Sequence, residues 1–77
     1  MMRAYVLLKV EVGRAHEVAQ ALRNTKGVTG VDPITGPNDL IAQVEASSAQ
    51  DLADLVFSSM QDLDGVRETD TRIVLDD

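Results

Sequence analysis

Apolar and polar residues alternate over positions 4–12. Ala4, Val6, Leu8, Val10 and Val12 point one way; Tyr5, Leu7, Lys9 and Glu11 point the other. That period of two predicts a β-strand, ended by Gly13. Over 14–24 the spacing becomes helical. Ala15, Val18, Ala19 and Leu22 form one stripe, and His16, Gln20 and Arg23 lie off it. Gly27 stands where a helix C-terminus would be closed. Residues 28–35 form a poorer strand, because Gly30 and Pro33 interrupt it. Proline has no N–H for a ladder, so this strand belongs at a sheet edge or carries a bulge. Residues 40–46 alternate again, with Leu40, Ala42, Val44 and Ala46 against Ile41, Gln43 and Glu45. Ser48 is a good helix N-cap, and Asp51 suits the positive end of the helix it opens. Leu52, Leu55, Val56, Met60 and Leu63 continue that helix to Gly65, with Ala53 and Phe57 widening its apolar stripe. Residues 66–75 read as a last strand with Thr69, Thr71, Ile73 and Leu75 on one side, and Asp76 and Asp77 as a frayed tail.

The order is βαββαβ. Val10-Glu11 and Val44-Glu45 close strands before helices, and Gly27-Val28 and Gly65-Val66 open strands after them, a faint internal duplication. The expected fold is α+β and ferredoxin-like: one domain over 1–77, a four-stranded antiparallel sheet with both helices on one face. Two helices cover only one side of such a sheet. The other side carries Tyr5, Leu7 and Ile41, more apolar than a solvated face needs to be. At about 25 cal/mol per Å², burying these three from each of two copies contributes several kcal/mol. A chain of 77 residues has a marginal core of its own. A homodimer with sheets facing each other, a dimeric α+β barrel, is therefore expected, with these three residues at the interface.

Charge and composition narrow the function. The net charge is −6 and the seven basic residues are scattered, so phosphate binding is not expected and neither is direct contact with nucleic acid. No apolar run approaches the ~20 residues that span a bilayer. With no cysteine there is no disulfide or thiolate zinc site. Met1-Met2-Arg3 leads straight into the first strand with no signal-peptide pattern. The expected setting is the cytoplasm.

Candidate chemistry is sparse. His16 is the sole histidine, and its neighbour Glu17 does not share its helix face, so no acid–base pair forms and no catalytic residue or cofactor is expected. Two features remain. One is the turn Thr35-Gly36-Pro37-Asn38-Asp39-Leu40. Gly36 has no Cβ to block a ligand or a second chain, Pro37-Asn38 suits the centre of a reverse turn, and Asp39 offers acceptor oxygens. The other is Thr69-Asp70-Thr71, with two hydroxyls on one face. Each has a bland explanation, an aspartate capping its own turn and threonines chosen for the strand. Together they offer the acceptors and donors that an amino acid's ammonium and carboxylate require.

The βαββαβ order, the turn Ile34-Thr35-Gly36-Pro37-Asn38-Asp39 and the Gly65-Val66 opening of a strand carrying Thr69 and Thr71 resemble the effector domain of the Lrp/AsnC regulators, the RAM module. The resemblance covers essentially the whole chain. It implies dimers formed through the sheets, assembly of dimers into octamer-like rings, and binding of an amino acid effector between dimers. Gly36, Asn38, Asp39, Thr69 and Thr71 would be its site residues. The family often has a bulky residue where this chain has Asn38. Full-length members carry an N-terminal helix-turn-helix; here the first strand begins at about residue 3, so the expectation is a stand-alone module that acts on transcription indirectly and assembles with full-length Lrp/AsnC regulators. The rival readings are a small dimeric α+β-barrel enzyme of the cofactor-free monooxygenase or isomerase type, and a purely structural assembly domain.

Overall fold

The computed structural model describes residues 1–75; the tail reading of Asp76 and Asp77 lies outside them. Strand β1 spans Met2–Val10 and helix α1 Ala15–Arg23. Strands β2 and β3 span Val28–Pro33 and Leu40–Ala46. Helix α2 (Ala49–Asp54) runs directly into a π-helical segment, Leu55–Met60, and β4 spans Val66–Ile73. The sheet order is β2-β3-β1-β4, antiparallel throughout. This is the expected four-stranded α+β arrangement.

The core is the inward row of the sheet. Ala4, Val6, Leu8 and Val10 of β1 lie beside Leu40, Ala42 and Val44 of β3, all buried. Val18, Ala19 and Leu22 of α1 close it over β2 and β3; Leu52, Val56 and Met60 close it from the second helical stretch. Burying one such Leu or Val side chain contributes about 1.5–3 kcal/mol. Ser48 caps α2 as its sequence position suggests, accepting the Asp51 N–H at 3.1 Å. Pro33 does fall on an edge strand, and that strand also bulges between Val28 and Gly30.

Four local expectations are corrected. Val12 is not on the inward row: β1 ends at Val10, where its register with β4 shifts, and Val12 is 99% exposed in the following loop. At the far end of the chain β4 stops at Ile73, so Leu75 lies outside the sheet. The first helix ends at Arg23, four residues before Gly27, and is closed by the Asn24 and Thr25 side chains on the Gln20 and Ala21 carbonyls. The second helix is not one α-helix. Gln61 N–H reaches back five residues to the Val56 carbonyl at 2.9 Å, the π-helical pattern. The wider turn keeps Val56 and Met60 inside but rotates Phe57 out of the stripe, leaving it 63% exposed.

Candidate functional site

The turn between β2 and β3 is built around Asp39. Ile34 N–H donates to the Asp39 carbonyl at 2.9 Å, closing the loop on itself. Asp39 N–H donates to the Leu8 carbonyl at 2.8 Å, and the Asp39 carboxylate accepts the Val10 N–H through Oδ2 at 2.9 Å. Asp39 thus fastens the loop to the end of β1, at the point where the β1–β4 register shifts. Its second carboxylate oxygen bonds to none of the described residues. Gly36 has φ +111°, a left-handed conformation that favours glycine, and a Cβ there would meet nothing within 4 Å. Within one copy, the glycine is required by conformation, and the space above it is open.

Replacing Asp39 separates these roles. Asp39→Ala leaves the Val10 N–H without its acceptor and is expected to cost about 1–3 kcal/mol, whereas Asp39→Asn keeps an oxygen acceptor and is expected to cost under about 1 kcal/mol. Urea denaturation followed by circular dichroism checks both. Equal losses would mean that the charge, and not the hydrogen bond, holds the turn.

Beside the turn lies an open cleft of about 250 Å³ lined by Lys9, Pro37, Asn38, Glu68, Thr69 and Asp70. The antiparallel pairing puts Lys9 opposite Glu68 and Leu7 opposite Asp70. Lys9 Nζ lies 3.4 Å from Glu68 Oε2. Arg72 donates to Asp70 at 2.9 and 3.1 Å, and that guanidinium holds the Asp70 carboxyl below its ordinary range. The cleft therefore presents an ammonium, two carboxylates and an amide within one small volume; Thr69 lines it, but its side chain lies on the helix side of the sheet, opposite the buried Leu8. The Thr69 hydroxyl accepts from Gln61 Nε2 at 3.0 Å.

The structure thus brings Asn38 and Thr69 to one cleft, with Gly36 and Asp39 in the turn that forms its rim. Thr71 is elsewhere. It faces the helices, opposite Val6, and lines an apolar cleft of about 170 Å³ with Val56, Phe57 and Ile73. Lys9, Glu68 and Asp70 are the lining residues that pattern reading missed. Lys9 and Glu68 read as ordinary solvated strand positions, and only the β1–β4 register brings them beside the turn.

The sheet face away from the helices carries Leu7 directly opposite Ile41, with Tyr5 two residues further along β1. Tyr5 is 40% exposed, and Leu7 and Ile41 are half-buried. The contribution of β4 to this face, open at the level of sequence, is Asp70 and Arg72. An apolar centre is thus flanked by charges.

Residues 3–77 match the family model described as the Lrp/AsnC ligand binding domain. An uncharacterized HTH-type transcriptional regulator of Pyrococcus abyssi is 27% identical over 71 residues, covering 92% of this chain and 45% of that protein. The chain therefore spans about half the length of this curated relative. The crystal structure of TTHA0845 from Thermus thermophilus superposes with a TM-score of 0.94 at 30% identity, over all of this chain and 96% of that one. A transcriptional regulator from Neisseria meningitidis, solved as a complex with L-Met, shares the fold with a TM-score of 0.88 at 19% identity, over 97% of this chain and 50% of that one.

Proposed function

The chain belongs to the Lrp/AsnC ligand-binding-domain family, and on that premise we propose that it senses a free amino acid at the corner between the 36–39 turn and β4. The observation that carries this reading is the juxtaposition of Lys9, Asn38, Glu68, Thr69 and Asp70 in one cleft. An amino acid carries a cation and an anion on neighbouring atoms. Glu68, Asp70 and the second oxygen of Asp39 are acceptors for its ammonium. Lys9, the Asn38 amide and turn N–H groups at Gly36 are donors for its carboxylate. The L-Met complex of the Neisseria regulator supports this ligand class. The cleft is shallow and open, so a second copy seated on the turn would complete it and exclude water.

Assembly follows from the uncovered sheet face. Tyr5, Leu7 and Ile41 form an apolar centre of the kind that pairs with itself across a two-fold axis, giving a homodimer. Contacts between dimers at the turn extend dimers into a ring, and a ligand bound there favours whichever assembly gives it more contacts. The reading is of a cytoplasmic, non-enzymatic module that modulates transcription through its relatives and, with a net charge of −6 and seven scattered basic residues, does not bind nucleic acid directly. Mixed assembly with full-length Lrp/AsnC regulators is part of the proposal.

The test is to measure melting temperature and particle mass by light scattering with each of the twenty amino acids. At least one is expected to raise the melting temperature or change the mass, and Lys9→Met and Asn38→Ala are expected to abolish that response while retaining the circular dichroism spectrum. If no amino acid changes either property, the domain is an assembly module only.

A further inference from the structure

The two edges of the sheet are built differently. The β2 edge is blunted: it bulges between Val28 and Gly30, Pro33 lacks an N–H, and the outward Val31 carbonyl already accepts from Arg23 Nη2 at 2.9 Å. Strand β4 has neither proline nor glycine, and no other strand of the described sheet pairs with its outer side. Its hydrogen-bonding phase is known. Val74 N–H donates to the Arg3 carbonyl, so alternation makes Arg72, Asp70 and Glu68 the residues bonded to β1. The backbone N–H and C=O groups of Thr69, Thr71 and Ile73 then face outward.

We propose that the β4 edge is a self-complementary docking site for the β4 edge of a second copy, antiparallel, with Thr71 on the two-fold axis. The charges select this register. A symmetric antiparallel pairing that keeps at least three β4 residues paired can be centred on any residue from Arg67 to Arg72, and centring on Arg67 sets that guanidinium against its own copy. Centring on Glu68, Asp70 or Arg72 sets that residue against its own copy, and centring on Thr69 sets Glu68 against the partner's Asp70. Like charges directly opposite one another are destabilising. Only centring on Thr71 sets Asp70 opposite the partner's Arg72 and Arg72 opposite the partner's Asp70. These are non-hydrogen-bonded positions, where side chains lie closest. Each copy already joins Asp70 to Arg72 at 2.9 Å, so the four charges form a ring of alternating sign. On the other face of the sheet, Thr71 and Ile73 belong to the apolar cleft beneath Phe57. A partner strand on this edge covers that cleft, in which Phe57 and Ile73 are otherwise 63% and 50% exposed. Its backbone contacts lie along the β4 edge, while Asp70 and Arg72 also flank the Tyr5, Leu7 and Ile41 face and Asp70 lines the corner cleft; cross-linking reads the edge pairing without any added amino acid.

The chain has no cysteine, so single substitutions report the register directly. With Thr71 on the axis, the two Cα atoms lie about 5.5 Å apart, within disulfide range, and Thr71→Cys is expected to cross-link to a covalent dimer on mild oxidation. Asp70→Cys is offset by two residues, its Cα atoms roughly 8 Å apart, and is expected to cross-link at least about tenfold less. Thr71→Pro removes an outward N–H that β1 does not use. It is expected to keep the circular dichroism spectrum while lowering the particle mass by light scattering. Failure of Thr71→Cys to cross-link, cross-linking of Asp70→Cys in its place, or an unchanged mass for folded Thr71→Pro would overturn the proposal.

Discussion

Gly65→Ala is expected to lower stability by about 2–5 kcal/mol, from about 1–2 kcal/mol of left-handed backbone strain and about 1–3 kcal/mol of overpacking. Gly65 has φ +97°, and an added Cβ would lie 2.9 Å from Val18 Cγ2 and 3.3 Å from Arg14 Cζ. Neither neighbour moves freely. Val18 is buried on the inner face of α1 and, being β-branched, has little rotamer choice. Arg14 bonds to Glu11, Glu17 and Asp64, joining the loop after β1 to the loop before β4, and these contacts hold its charged form so firmly that its pKa is raised. The Gly65 carbonyl also accepts the Glu11 N–H at 2.8 Å, so any backbone shift at Gly65 pulls on the end of β1. Net stability at about 0.05–0.15 kcal/mol per residue is only about 4–12 kcal/mol for a chain this long. Gly36→Ala is the internal control. Its φ of +111° brings the strain without the clash, so a loss of about 1–2 kcal/mol is expected there. Urea denaturation of both variants checks the pair. Equal losses would remove the packing account at Gly65.

Legibility followed the range over which each feature is decided. The inward rows Ala4 to Val10 and Leu40 to Val44 are visible because period two is a property of the strand itself. Pro33 revealed an edge because its missing N–H acts locally, and Ser48 revealed a helix start for the same kind of reason. Val12 continued the alternation yet fell outside, since the end of β1 is decided by Glu11 meeting Gly65, residues far apart in the chain. The rotation of Phe57 depends on whether one N–H bonds four or five residues back, a choice with no marker in residue type. At the site, the turn and its aspartate could be picked out, but the bond from Asp39 to Val10 spans 29 residues. Thr69 and Thr71 share a face as alternation requires, yet they serve different clefts, because the register of β4 against β1 carries no local signal.

Leu8→Ala is expected to be among the most damaging single substitutions, with a loss of about 2–5 kcal/mol from lost transfer energy and the cavity left behind. Leu8 is fully buried, lies between Leu40 of β3 and Thr69 of β4, and is among the largest enclosed side chains of the core. Its position links core and corner. The Leu8 carbonyl holds the Asp39 N–H, and the next residue is Lys9, whose ammonium lines the cleft. A void under residue 8 loosens the strand to which both the turn and the charged wall are attached. The amino acid response is therefore expected to weaken even at temperatures where the variant remains folded. Leu8→Met conserves volume and is expected to cost under about 1.5 kcal/mol with the response retained. Urea denaturation measures the stability change, and the amino acid titration repeated well below the melting transition measures the coupling. If Leu8→Ala were destabilised as expected yet answered the ligand with undiminished affinity, the corner would be held by the loop alone, and β1 would have no part in presenting Lys9 to the effector.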